Sequence, residues 1–117
     1  MPLLFSYGTL QDEEVQIVLF ERKLVGREDY LLGYKEVVIR VADPEFARTS
    51  GKTHHSTLRA TPSEADKVKG MVFEVTAAEL ALADMYEPAE YMRVVAGLAS
   101  GNKTWVYVEA HARNNKA

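Results

Sequence analysis

An α+β domain is the fold class this sequence predicts, and three observations predict it. Apolar, β-branched and aromatic runs bounded by Gly, Pro, Asn or Asp recur at 30–41, 68–75, 91–98 and 104–111. Two other stretches, after Gln11 and after Thr76, repeat apolar residues at helical spacing behind acidic first turns. A chain of 117 residues, 47% hydrophobic and 26% charged, can bury one core but not two.

In chain order, Leu3-Leu4-Phe5 is a short apolar strand that runs into Tyr7-Gly8-Thr9-Leu10. Gly8 is expected to bend the chain there, because glycine alone takes positive φ without cost. Gln11-Asp12-Glu13-Glu14 then opens a helix in which Val15, Val18, Leu19 and Phe20 recur, and Glu21-Arg22-Lys23 with Gly26 end it. Residues 30–41 form a long strand, apolar on both parities around Val37, Val38 and Ile39; Gly33 offers it a break and Asp43-Pro44 stop it.

The stretch from Glu45 to Lys52 is a surface loop, and 54–59 is a weaker strand candidate. A polar turn at 61–66 leads into Val68-Lys69-Gly70-Met71-Val72-Phe73-Glu74-Val75, a strand whose Val68, Val72 and Val75 point to the core. A glycine inside a strand, as at Gly70, marks a bulge or the close approach of another backbone. Thr76-Ala77-Ala78-Glu79 is a capping box, with Leu80, Ala83 and Tyr86 or Glu87 on one stripe of the helix and Pro88 ending it. Two strands, 91–98 and 104–111, are joined through Ser100-Gly101-Asn102-Lys103 as a hairpin. Trp105, Tyr107 and Glu109 share one face of the second strand, Val106 and Val108 the other. The domain is read as 1–112, followed by a polar tail at 113–117.

A net charge of -3 and a pI near 5.6 argue against a broad basic face for nucleic acid. The chain has no cysteine, which removes disulfides and thiolate chemistry and fits a cytoplasmic setting. No apolar run approaches the roughly 20 residues of a membrane helix, and Met1-Pro2-Leu3-Leu4 does not open a secretory leader. His54 and His55 are adjacent, so on a strand they face opposite ways and cannot share an ion; with His111 the sole other histidine, no metal site is expected. Exposed strands in a small domain allow a homodimer.

Two places have chemistry. The amides of Gly8, Thr9 and Leu10 would lie at a helix start, where unpaired N–H groups favour an anion such as a carboxylate, with Tyr7 as an aromatic wall and the Thr9 hydroxyl beside it. The plainer alternative is that Gly8 turns the chain and Thr9 caps the helix. Glu87 falls at a helix C-terminus, where a partly buried carboxylate has its pKa raised toward the range of a general acid or base; the plainer alternative is a solvated helix end.

Tyr7-Gly8-Thr9-Leu10, the glycine-containing strand 68–75, and Leu82-Ala83-Asp84-Met85-Tyr86-Glu87 followed by Tyr91-Met92-Arg93-Val94 resemble, in this order, the γ-glutamylcyclotransferase-like, or AIG2-like, superfamily. The resemblance spans nearly the whole chain. It implies a small mixed β-barrel, closed or partly closed, with a few short helices. It also implies a cofactor-free enzyme that converts a small γ-glutamyl substrate to 5-oxoproline and a free amine. The catalytic Glu of that family falls on Glu87 and its substrate loop on Tyr7, Gly8, Thr9 and Leu10, with Glu90 as the nearby decoy. Pro88 and the Ala83-Asp84 pair depart from the family pattern and bear on substrate choice. A second reading keeps the fold as a non-catalytic module that binds a γ-glutamyl or carboxylate ligand.

Overall fold

Strand β1 (Leu3–Ser6) is apolar on both parities, so it can be buried on both faces: Leu4 enters one core cluster and Phe5 the other. In a computed structural model, which describes residues 1–40, 54–87 and 91–109, this strand lies at the centre of the main sheet. A 3-10 turn (Thr9–Gln11) and α1 (Glu13–Phe20) follow, then β2 (Val25–Leu32), β3 (Tyr34–Arg40), β4 (His54–Ala60), β5 (Lys67–Glu74), α2 (Ala77–Tyr86), β6 (Tyr91–Gly97) and β7 (Lys103–Glu109). The sheet order is β2-β5-β1-β7-β6. β1 pairs antiparallel with β5, Leu4 opposite Phe73, and parallel with β7, Leu4 beside Trp105. β3 and β4 form a separate antiparallel ribbon.

The two helices cover the Leu4 face, where Phe20 of α1 and Leu80 and Ala83 of α2 pack with Phe73 and Tyr107. The ribbon covers the Phe5 face through Leu58, which packs with Val68, Val72 and Val106. The expected alternation in β7 holds, with Tyr107 on the helix side and Val106 and Val108 on the ribbon side. α2 opens on the expected capping box: Thr76 accepts from the Glu79 amide and Glu79 accepts from the Thr76 amide.

The α+β class holds, but the sheet is not closed into a barrel. Its edges, β2 and the β6–β7 hairpin, approach at a bridge from Leu31 to Leu98, at a bond from the Ala99 amide to the Tyr30 carbonyl (2.9 Å), and where Asp29 is hydrogen-bonded by Ser100. Pairing stops there because Gly33, at φ 80°, turns the chain into the ribbon. The long strand expected over 30–41 is therefore two strands meeting at Gly33, and the first begins earlier, at Val25. Val25 to Glu28 lie exposed on an edge strand, so no burial pattern announced them.

α1 ends not at Gly26 but at Glu21, which itself takes the left-handed conformation at φ 58°. Gly26 belongs to β2, where a side chain would collide with the Phe73 ring opposite it. The segments read at 43–52, Pro88, Glu90, His111 and the tail at 113–117 lie outside the described residues, as do the side chains of His54 and His55.

Gly70 fulfils the expectation of a close backbone approach: a Cβ there would overlap the Ser6 carbonyl and lie 2.6 Å from Cζ of Phe5. Gly70→Ala is expected to destabilise the fold by about 1–3 kcal/mol through overpacking, read as a lowered urea midpoint at unchanged m-value.

Candidate active site

Because β1 ends at Ser6 in the middle of the sheet, the loop 7–10 emerges between β5 and β7. Gly8 does not use positive φ; its angles are φ -135° and ψ -142°. What it contributes is a missing side chain, since a Cβ there would meet nothing within 4 Å and the backbone borders open space. Its amide donates to Ser6 Oγ (3.3 Å), and its carbonyl accepts from the amide of Gln11 (3.1 Å) and from Gln11 Nε2 (3.2 Å).

Thr9 and Leu10 begin the 3-10 turn, so their amides have no acceptor within it, and among the described residues they have none elsewhere. The α-helix starts later than expected, with Asp12 as its N-cap. Thr9 does not cap it: its hydroxyl shares a 2.8 Å hydrogen bond with the Tyr86 hydroxyl. Leu10 turns its side chain into the core, leaving its backbone to the loop. Buried Gln16 fixes that backbone, donating to the Leu10 carbonyl (2.8 Å) while accepting from the Leu24 amide (2.9 Å).

Glu87 is the C-cap of α2, with extended angles and its amide bonded to the Ala83 carbonyl (3.0 Å). Its half-buried carboxyl is pushed up to about 7 by loss of solvation. The expected direction is met, with burial as the cause. The other end of α2 is tied to the C-terminal end of α1 by a two-point pair, Arg22 Nε to Glu79 Oε2 (2.7 Å) and Arg22 Nη2 to Oε1 (2.9 Å).

Tyr7 and Glu87 are brought together. The Tyr7 hydroxyl donates to the Tyr107 carbonyl (3.1 Å), and burial, with Tyr91 and Glu87 adding to it, raises the pKa of that hydroxyl. Tyr107 is raised likewise, by burial first, then by Asp84, with Glu87 contributing. Both phenols stay neutral, bonded to the Tyr107 carbonyl and to Asp84 respectively, and both sense the Glu87 charge.

Four residues of this cluster had no role in the reading of the residues alone: Asp84, Tyr86, Arg93 and Tyr107. The Tyr107 hydroxyl donates to Asp84 Oδ1 at 2.6 Å. Arg93 Nη2 donates to Asp84 Oδ2 at 3.0 Å, its Nε lies 3.0 Å from Oδ1, and its guanidinium stacks over the Trp105 ring at 4.5 Å. The available signals were the three-residue spacing of Asp84 from Glu87 and the shared face of Trp105 and Tyr107.

An open groove of about 470 Å³ borders the cluster at Arg93 and is lined, among the described residues, by Tyr34, Ala60, Arg93, Val94 and Val95. Neither Glu87 nor the loop 7–10 is among those residues. Among the described residues no three His, Asp or Glu side chains are gathered for a metal ion. Among them, too, no helix is long and apolar enough to cross a membrane.

The sequence model of the family described as gamma-glutamyl cyclotransferase, AIG2-like, matches residues 4–117. A solution structure from Arabidopsis thaliana is similar at 22% identity and TM-score 0.75, over 98% of this chain and 66% of that one. A second from the same plant has 24% identity and TM-score 0.70, over 95% and 70%. A structure named gamma-glutamyl cyclotransferase has 18% identity and TM-score 0.63, over 92% and 66%. At these identities the likeness is one of fold, and the chain spans about two thirds of the length of these structures. No curated protein is matched by the sequence.

A carboxyl whose folded pKa lies above its unfolded value favours folding below the unfolded pKa and loses that contribution as pH rises through the folded one. Glu87→Gln, which cannot ionise, is therefore expected to be more stable than the native chain above pH 8, by roughly 1–3 kcal/mol, with the gap closing below pH 5. Urea unfolding of both proteins across that range measures it.

Proposed function

The chain belongs to the gamma-glutamyl cyclotransferase, AIG2-like family, and from that premise we propose that it cyclises a γ-glutamyl amine or amide to 5-oxoproline with Glu87 as general acid and base. The observation that carries this is a carboxyl held near pKa 7 beside a loop with unpaired amides. A group titrating near the operating pH is suited to take a proton and return it in one turnover.

The substrate's own α-amine attacks its γ-carbonyl, so nucleophile and electrophile share a molecule and no nucleophilic side chain is needed. Glu87 takes a proton from the substrate ammonium. The freed amine bonds to the γ-carbon, Glu87 hands the first proton to the leaving nitrogen as the bond from that carbon to it breaks, and the second proton shed by the ring nitrogen follows it, so that 5-oxoproline keeps one N–H and the amine leaves as its ammonium form. The Thr9 and Leu10 amides either hold the α-carboxylate or receive the charge that develops on the γ-oxygen. Tyr7, neutral and anchored on Tyr107, walls the site; the Thr9–Tyr86 bond holds the loop against the helix end that carries the acid.

5-Oxoproline release from γ-glutamyl amino acids, glutathione and γ-glutamyl-ε-lysine tests the reading. Glu87→Gln should lower kcat by about 10²–10⁴-fold while Glu90→Gln does not. A folded protein that binds these compounds with saturable heat but releases no product would be a binding module of the same fold.

A further inference from the structure

The geometry points to Tyr107 and Asp84 as positioning residues for Glu87, coupling the substrate loop to the helix end that carries the acid; this rests on the reading of Glu87 as the proton-transfer group. Tyr107 touches both parts of the site. Its carbonyl accepts the Tyr7 hydroxyl from the loop at 3.1 Å, and its own hydroxyl donates to Asp84 at 2.6 Å, one helical turn before Glu87. The same hydroxyl lies 3.5 Å from the Leu80 carbonyl, so it rests along the last two turns of α2.

Among the described residues the helix end is otherwise fixed by the Thr9–Tyr86 bond and by the Glu87 amide on the Ala83 carbonyl. The last turn of α2 has no basic residue. An acidic residue in a last turn is opposed by the helix dipole, so charge balance within the helix does not account for Asp84. Its carboxylate is instead a docking point: the Arg93 guanidinium reaches both of its oxygens from β6, and Trp105 stacks on that guanidinium from β7. The β6–β7 hairpin thus grips α2 at Asp84 and the loop at Tyr7. Within a constellation of this kind, small displacements of an acid–base group cost turnover rather than binding.

Tyr107→Phe deletes the hydroxyl and keeps the carbonyl that Tyr7 uses, and it removes no charge. We expect kcat to fall by roughly 10–10²-fold with KM within about twofold. The Glu87 carboxyl, followed by carbon-detected NMR, should titrate lower than in the native chain, toward the ordinary carboxylate range, as the helix end loosens and hydrates. Among the described residues, the groups that sense its charge are Tyr7 from the loop and Tyr107 from β7, with Asp84 on its own helix and Arg93 paired to Asp84.

A folded Tyr107→Phe with native kcat and a native Glu87 midpoint overturns the coupling, and so does a change in KM alone. Should that variant not fold, Asp84→Asn, which keeps an acceptor for Tyr107 but breaks the ionic grip of Arg93, is read by the same two measurements. The titration needs no turnover. If the native chain releases no 5-oxoproline, the cyclotransferase reading fails by itself, and the shifted or unshifted midpoint still decides the coupling.

Discussion

The insertion of β1 between β5 and β7 is the constraint on which the other parts depend. A strand buried on both faces and paired on both edges needs apolar side chains on both parities and room for them, and Leu3-Leu4-Phe5 supply the first while Gly70, with no side chain against the Phe5 ring and the Ser6 carbonyl, supplies the second. The insertion splits the interior into two clusters, one roofed by helices and one by the β3–β4 ribbon. It also fixes where the chain leaves the sheet, so that a loop with unpaired amides opens between β5 and β7 rather than at an edge.

Glu87 is held against its electrostatic preference. A carboxyl at a helix C-terminus, half-removed from water, opposes the folded state whenever it ionises. The same helix is secured at its other end by the capping box and by the Arg22–Glu79 pair, whose carboxyl Arg22 holds below the usual range against burial. The electrostatic cost thus falls at one end of the helix and its anchorage at the other.

The sequence made some of this legible and not the rest, for physical reasons. The capping box at Thr76, the hairpin around Gly101 and the close approach at Gly70 are local rules with local residues, and each is found where expected. The start of β2 was illegible because an exposed edge strand has no need of alternation, and Arg27, Glu28 and Asp29 look like loop. Glu21 could stand in the left-handed cap because the turn there is short and polar, which displaced the expected role of Gly26. For the candidate site, Tyr7 and Glu87 were singled out by their positions in two motifs, and the fold brings them close enough for Tyr7 to sense the Glu87 charge. The Tyr107–Asp84–Arg93 connection was not, since it joins three elements through side chains whose periodicity says only which face they occupy.

The parallel pairing of β1 with β7 also sets an order in time. Leu4 must find Trp105 and the Tyr7 hydroxyl must find the Tyr107 carbonyl, a separation of 100 residues. Loop-closure entropy for such contacts is met before they return any stability, which slows their formation relative to the local pairing of β6 with β7. During synthesis at roughly 5–20 residues per second, β1 waits many seconds for its second neighbour. The Tyr7–Glu87 cluster therefore forms only once β7 has joined β1, at the last step of assembly.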